Sequence, residues 1–400
     1  MVLYKNLLLG GKYTDKSKTY YSGIVFELTR NISNKYLFYF DDWEVEVSTP
    51  NIILARSEKI YPCNKIYELG YNACEKALDL INIKDDTAFL LKPYNQYVQL
   101  FYENKNYSLI IHDKEALQFK ISAHLSVIDK DGNTVTQNTP KQILWNKIFR
   151  FYRFYKGSQN VYDSYRWMYL IFEMLMQKIC IKNEKESESH WIRRSLEEYD
   201  KKYQWEKSFN WSTKGNIDYF INKQYRGIRC KLFHAKDAFI LPNEKVEQKR
   251  IQERLIELED LCWFLFRKEF GISKSGGGFS DGGFKMMAQN FLTDAKAFID
   301  CNEISCNPSE TISLKDTAII FGNNQNSIDI AKRNIMEICN TELDPKKEYY
   351  IKSYGMTENN EIVFWGNIKG FEMVLNEVSN ICIKLQTHIA NEGEFEKYIE

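Results

Sequence analysis

Apolar and polar positions change their period twice along this chain. Between residues 20 and 60, YYSGIVFELTR and KYLFYFDDWEVEVSTPNIILA are rich in β-branched and aromatic residues, and Trp43, Val45 and Val47 alternate with Glu44, Glu46 and Ser48. Such two-residue alternation predicts strands with one buried face. NKIYELGYNACEKALDLIN predicts a helix, and TAFLLKPYNQYVQLFYENKNYSLIIH with LQFKISAHLSVID predicts further strands ending in a turn at Asp131-Gly132-Asn133. The first segment reads as a mostly antiparallel β domain over residues 1 to 140.

Near residue 140 the period becomes helical. Val161, Tyr165, Met168, Phe172, Leu175 and Ile179 recur at steps of four and three, the mark of one amphipathic face. Helices are also expected over KQILWNKIFRFYRFYKG, from about His190 to Lys202, from about 215 to 235, and from Pro242 to Gly271. Four or five helices with short links make an antiparallel bundle over residues 141 to 272. SKSGGGFSDGGF opens a flexible linker, residues 273 to 289. Beyond it, AKAFID, DTAIIFG, KEYYIKSYG and EIVFWGNI predict strands, and SIDIAKRNIMEICN and GFEMVLNEVSNICIKLQTHIA predict helices, so residues 290 to 400 read as a small α+β domain. The fold class expected is multi-domain α+β.

Composition narrows the class. The 400 residues carry 44% hydrophobic and 15% aromatic side chains, which excludes a disordered chain. The nine cysteines are scattered without a CxxC pair, unlike a disulfide framework or a zinc site, and a reducing, cytoplasmic setting is expected with no metal and no cofactor. No apolar run is long enough to span a membrane. The net charge is zero, but residues 1 to 140 sum to −1, residues 141 to 272 to +8 and residues 273 to 400 to −7. A basic middle points to an anionic partner or to attraction for the acidic end.

The basic surplus concentrates in QYRGIRCKLFHAKDAFILP, residues 224 to 242, where Arg226, Arg229, Lys231, His234 and Lys236 lie within eleven positions. Guanidinium forks suit phosphate, and imidazole exchanges protons near neutrality. Together they supply what RNA cleavage without metal requires: a base for the 2′-hydroxyl, an acid for the leaving 5′-oxygen, and positive charge for the pentacoordinate phosphorus.

Arg229, four residues and His234 resemble the Arg, four to six residues, His signature of HEPN domains, in the penultimate helix of a four-helix region. The FHAK continuation and Pro242 are similar to a set of bacterial HEPN-like proteins, some of them MauJ-like. The resemblance covers roughly residues 145 to 270. It implies an all-helical, commonly dimeric domain in which two motifs form one metal-independent RNA-cleaving cleft, often in toxin or antiphage systems. By position it makes Arg229 and His234 the catalytic pair, with Arg226, Lys231 and Lys236 as RNA-binding candidates. Active members often carry a polar residue directly after the Arg, where this chain has Cys230. Many HEPN-like domains serve only in binding or assembly.

On a continuous α-helix, residues five apart point about 140° away from each other. Either the helix ends near His234, or a second subunit supplies the facing residues and the protein works as a homodimer. The competing structural account has Arg229 bridging an acid such as Glu173 or Glu257, and His234 capping a helix end. Weaker candidates are GGGFSDGG, which lacks the GKS or GKT ending of a phosphate loop; Ser327, expected as an N-cap; the isolated His112, His124, His190 and His388; and the aromatic stripe Trp145, Phe149, Tyr152, Phe154 and Tyr155, which suits either base stacking or core packing.

Overall fold

A computed structural model describes residues 1–12, 18–92, 97–119, 127–128, 130, 134–135, 144–158, 160–213, 215–234, 239–242, 244–272, 281–290, 295–305, 317–322, 325–329, 333–358, 361–368 and 372–391. The chain is mixed helix and strand, divided into two compact units. Met1–Leu117 and Ser280–Ile389 form the first, and Gln118–Phe279 belongs to the second.

In the first segment the strands are β1 (Val2–Tyr4), β2 (Leu7–Lys12), β3 (Thr19–Tyr20), β4 (Ser22–Glu27), β5 (Tyr36–Phe40), β6 (Trp43–Ser48) and β7 (Ile52–Ser57). Helix α1 (Cys63–Asp85) precedes β8 (Tyr97–Glu103) and β9 (Asn106–Phe119). β4 to β8 pair antiparallel with their assigned neighbours, as the alternation predicts. The middle segment holds the short pair β10 (Val127–Ile128) and β11 (Thr134–Val135), then α2 (Ile148–Gly157), α3 (Val161–Ile179), α4 (Glu188–Tyr203), α5 (Asn216–Tyr219), a π-helix over Phe220–Arg229, α6 (Cys230–Phe233) and α7 (Lys245–Phe270). The last segment runs α8 (Asp281–Gln289), β12 (Lys296–Asp300), β13 (Ile319–Phe321), β14 (Gln325–Asp329), β15 (Asn334–Glu342), β16 (Tyr349–Ile351), β17 (Ser353–Glu358), β18 (Glu361–Asn367), β19 (Met373–Leu375) and β20 (Val378–Asn391).

Three expectations are corrected. First, the outer segments are one unit: β1 pairs with β19, and the nine-stranded sheet runs β14-β15-β20-β9-β8-β4-β7-β6-β5. Leu9, Leu54, Leu100 and Leu109 share a core with Ile299, Met356, Ile381 and Leu385. Neither segment completes that core alone. Second, the stretches expected as helices over 327–340 and 370–390 form β14, β15, β19 and β20. Ile381, Ile383 and Leu385 are buried, while Cys382 and Lys384 are half-exposed. This two-residue pattern fits the apolar core only as a strand. Ser327 therefore lies in β14 and caps no helix. Third, residues 281–289 of the expected linker form α8, where Phe284 and Ala288 are buried. Residues 273–280, the Asp131-Gly132-Asn133 turn and His124 lie outside the described residues.

In the second unit the expected helices are present at α2, α3, α4 and α7. Tyr165, Met168, Phe172 and Leu175 of α3 share a core with Ile192 and Leu196 of α4 and Leu255, Leu258 and Cys262 of α7. Of the aromatic stripe, Tyr155 is buried and Tyr152 packs on this core, whereas Trp145 and Phe154 are exposed.

Candidate functional site

The site forms where α3, the first turn of α4 and the π-helix meet. α3 buries Tyr165, Tyr169 and Phe172 and leaves Glu173 at the margin. The chain then starts α4 at Ser187, whose side chain accepts the His190 N–H. That cap brings Glu188 into the first turn, where the helix dipole favours an anion.

The π-helix decides the direction of Arg229. Its end is marked by the Cys230 N–H donating to the Tyr225 carbonyl, five residues back. Buried Gln224 fixes it by donating to the Arg254 carbonyl at 2.7 Å and to Glu257 Oε2 at 3.1 Å, while Tyr165 donates to Gln224 Oε1 at 2.9 Å. Arg250 donates to the Gly227 carbonyl at 2.5 Å. One residue more per hydrogen-bonded ring shifts the phase at which Arg229 leaves the helix relative to the segment before it. The helix also ends at Phe233: His234 is extended, at φ −128 and ψ 111, and its ring turns back toward Arg229.

Arg229 Nη1 and His234 Nε2 are 3.1 Å apart. Guanidinium can only donate, so Nε2 accepts and the ring proton resides on Nδ1. Nη2 of Arg229 meets Glu188 Oε1 at 2.5 Å and Glu173 Oε1 at 3.3 Å. Its Nε is buried without a hydrogen-bond partner among the described residues. The guanidinium carbon is 5.1 Å from the Phe233 ring centroid, 5.6 Å from Tyr225 and 5.8 Å from Tyr169, within cation–π range. The Arg229 side chain is 12% exposed, whereas His234 is exposed.

Two carboxylates beside one guanidinium compete for it. Burial pushes the Glu173 carboxyl up, the hydrogen bond with Glu188 raises it further, and Arg229 only partly opposes this, leaving it at about 7. Glu173 therefore keeps its proton until about pH 7. Burial works against the charge on Arg229, but Glu188, Tyr169 and Glu173 outweigh it and hold the guanidinium charged. Burial, Glu188 and Cys230 push the Tyr225 hydroxyl up.

Of the residues singled out by sequence, the structure brings Arg229, His234 and Glu173 together. Arg226 is exposed, with Asn222 at 3.5 Å, and the Lys231 carbonyl accepts the Ile240 N–H at 3.1 Å. Lys236 lies outside the described residues. Glu257 pairs with Arg254 at 2.6 Å instead of Arg229. His234 contacts the Arg229 side chain, whereas the competing account had it capping a helix end. Glu188, Tyr169 and Tyr225 escaped the sequence reading, because only packing brings three separate helical segments to one guanidinium. His190 sits on Glu186 at 2.9 Å and buried His388 on Asn334 at 2.8 Å. Among the described residues, no group of three His, Cys, Asp or Glu is placed to hold a metal ion, and no helix is long and apolar enough to cross a membrane.

No protein-family model, no curated protein and no solved structure matches this chain.

Proposed function

We propose that the helical unit is a HEPN-like bundle and that the protein is a metal-independent endoribonuclease acting through Arg229 and His234. The observation that carries this reading is the 3.1 Å contact between Arg229 Nη1 and His234 Nε2, with the imidazole exposed. An RNA phosphate would draw the guanidinium N–H to its own oxygen and release the Nε2 lone pair. His234 then takes the 2′-hydroxyl proton as the 2′-oxygen attacks phosphorus. Arg229 balances the added negative charge, and the proton that His234 has taken passes to the departing 5′-oxygen, leaving a 2′,3′-cyclic phosphate and a 5′-hydroxyl. Arg226, Lys231 and Lys236 would neutralise flanking phosphates. A homodimer would double the site, and a cytoplasmic toxin or antiphage effector is the setting this chemistry suits.

One observation favours a second reading, a non-catalytic HEPN-like module for dimerisation or RNA binding. Glu188 at 2.5 Å and Glu173 at 3.3 Å occupy the guanidinium that a phosphate would need. Incubation with total RNA in EDTA separates the two. Catalysis requires cyclic-phosphate products that disappear in both His234→Ala and Arg229→Ala; cleavage that survives both substitutions, or that needs a divalent metal, rules out this mechanism.

A further inference from the structure

We propose that β5 is an interface between two copies of this chain, joined edge to edge as antiparallel strands centred on Phe38. β5 ends the nine-stranded sheet and pairs only with β6 among the described strands. Free edges are normally blunted by charge, proline or a bulge. The opposite edge, β14, reads QNSID, polar with an acid at its end. β5 reads YLFYF, with no charge or proline, and pairs with β6 in unbroken register from Tyr36↔Val47 to Phe40↔Trp43. Leu37 is 46% and Tyr39 61% exposed.

The hairpin geometry determines which backbone groups are free. Asp41, at φ 50, and Asp42 form the two-residue turn, so Phe40 and Trp43 are the closing pair that exchanges hydrogen bonds. The backbone groups of Phe38 and Tyr36 follow toward β6, and those of Leu37 and Tyr39 face outward. Antiparallel pairing with a second β5 must join these outward groups, which restricts the register to residues of equal parity.

Charge selects one register. Lys35 and Asp41 lie three residues on either side of Phe38, and Asp41 keeps 85% of its side chain exposed although Lys76 stands 3.8 Å away. Centring the pair on Phe38 sets Lys35 opposite the second copy's Asp41 at both ends, Leu37 opposite Tyr39, and Phe38 opposite itself. Shifting the centre to Leu37 or Tyr39 breaks both charge pairs. A foreign strand has no reason to carry that spacing, whereas a second copy carries it by symmetry. Tyr36, Phe38 and Phe40 already stack along one face, with centroids 6.2 and 6.0 Å apart, so pairing extends an aromatic row across the junction. Four backbone hydrogen bonds on a strand of this length make a small contact, and the association is weak and concentration-dependent.

The test uses the full-length protein. Phe38 falls at a non-hydrogen-bonded pair, where Cα atoms approach to about 4.5 Å, within disulfide reach. Phe38→Cys should therefore form disulfide-linked dimers under mild oxidation faster than wild type, whose own cysteines provide the background. In sedimentation equilibrium, Lys35→Glu should raise the dimer dissociation constant roughly tenfold by facing acid with acid. Adding Asp41→Lys to it should restore the wild-type value. Monomeric wild-type protein at about millimolar concentration overturns the proposal, as does cross-linking at the background rate or a dissociation constant indifferent to the charge swaps. The last result is what dimerisation through the helical unit alone would give.

Discussion

Replacing Glu337 by Gln should abolish a large pH dependence of stability in the β-rich unit. Glu337 on β15 is 1% exposed, faces Leu385 of β20 and Asn326 of β14 in register, and among the described residues has no hydrogen-bond partner at either carboxyl oxygen. Burial, with a smaller contribution from Glu358, pushes its carboxyl from the ordinary 4.5 to about 8. The folded state thus holds the proton more tightly than the unfolded chain. This contribution to stability is complete below about pH 4.5 and is lost as pH rises to about 8. At ~1.4 kcal/mol per pH unit, the loss across that window is on the order of 5 kcal/mol, comparable with the whole stability of a small domain. Gln keeps the shape but cannot titrate, so it carries a constant cost for a buried amide. Urea unfolding at pH 5 and pH 8, followed by hydrogen exchange of peptides within 334–342 and 378–389, reads this unit by itself. Wild type should lose several kcal/mol relative to Glu337→Gln on going from pH 5 to pH 8. A difference between the two proteins that does not change with pH would refute the argument.

RNA affinity of the whole protein should fall with salt by roughly 0.7 to 0.9 log units per log unit of salt for each phosphate neutralised, and a flat response in filter binding would exclude phosphate contacts. Affinity should also decline between pH 6 and pH 8, because Glu173 titrates at about 7 and its ionisation sets a second negative charge beside Arg229. The decline should vanish in Glu173→Gln and persist in Arg226→Gln. Arg56, buried with Glu44 at 2.5 Å and Glu46 at 3.0 Å, should cost about 3–5 kcal/mol as Arg56→Met, since it leaves Glu44 buried beside fewer cations. Arg56→Met with Glu44→Leu should recover part of that loss in urea unfolding. Gly70→Ala should destabilise the packing of α1 on the sheet, because a Cβ there meets Ile24 Cγ2 at 2.4 Å; its exchange protection in 63–85 should drop.

Local pattern was sufficient wherever a segment's own period names its partner face. The stripe of Tyr165, Met168 and Phe172 needs only one apolar neighbour to become α3, and Val45 and Val47 need only one to become β6. Composition and spacing likewise singled out Arg229 and His234, because the residue types themselves carry the chemistry. Pairing between distant segments is not written in any local period. Met1 and Asn376 are 375 residues apart, yet the N-terminal ammonium donates to the Asn376 carbonyl at 2.8 Å, and β1 against β19 makes the outer segments one unit. Non-local pairing also hid β15 and β20, whose Met336, Glu337, Lys384, Leu385 and Gln386 suit a helix until a core on one side demands alternation. At the site, sequence offered two acids for Arg229 and could not choose between them: packing of α3 selected Glu173, and the start of α4 added Glu188. The end of the helix at Phe233 and the extended His234 turned an unfavourable helical offset into a direct contact. Hydrogen-bond phase, strand order and burial are properties of the assembled chain, and in this protein they decide what Arg229 is free to bind.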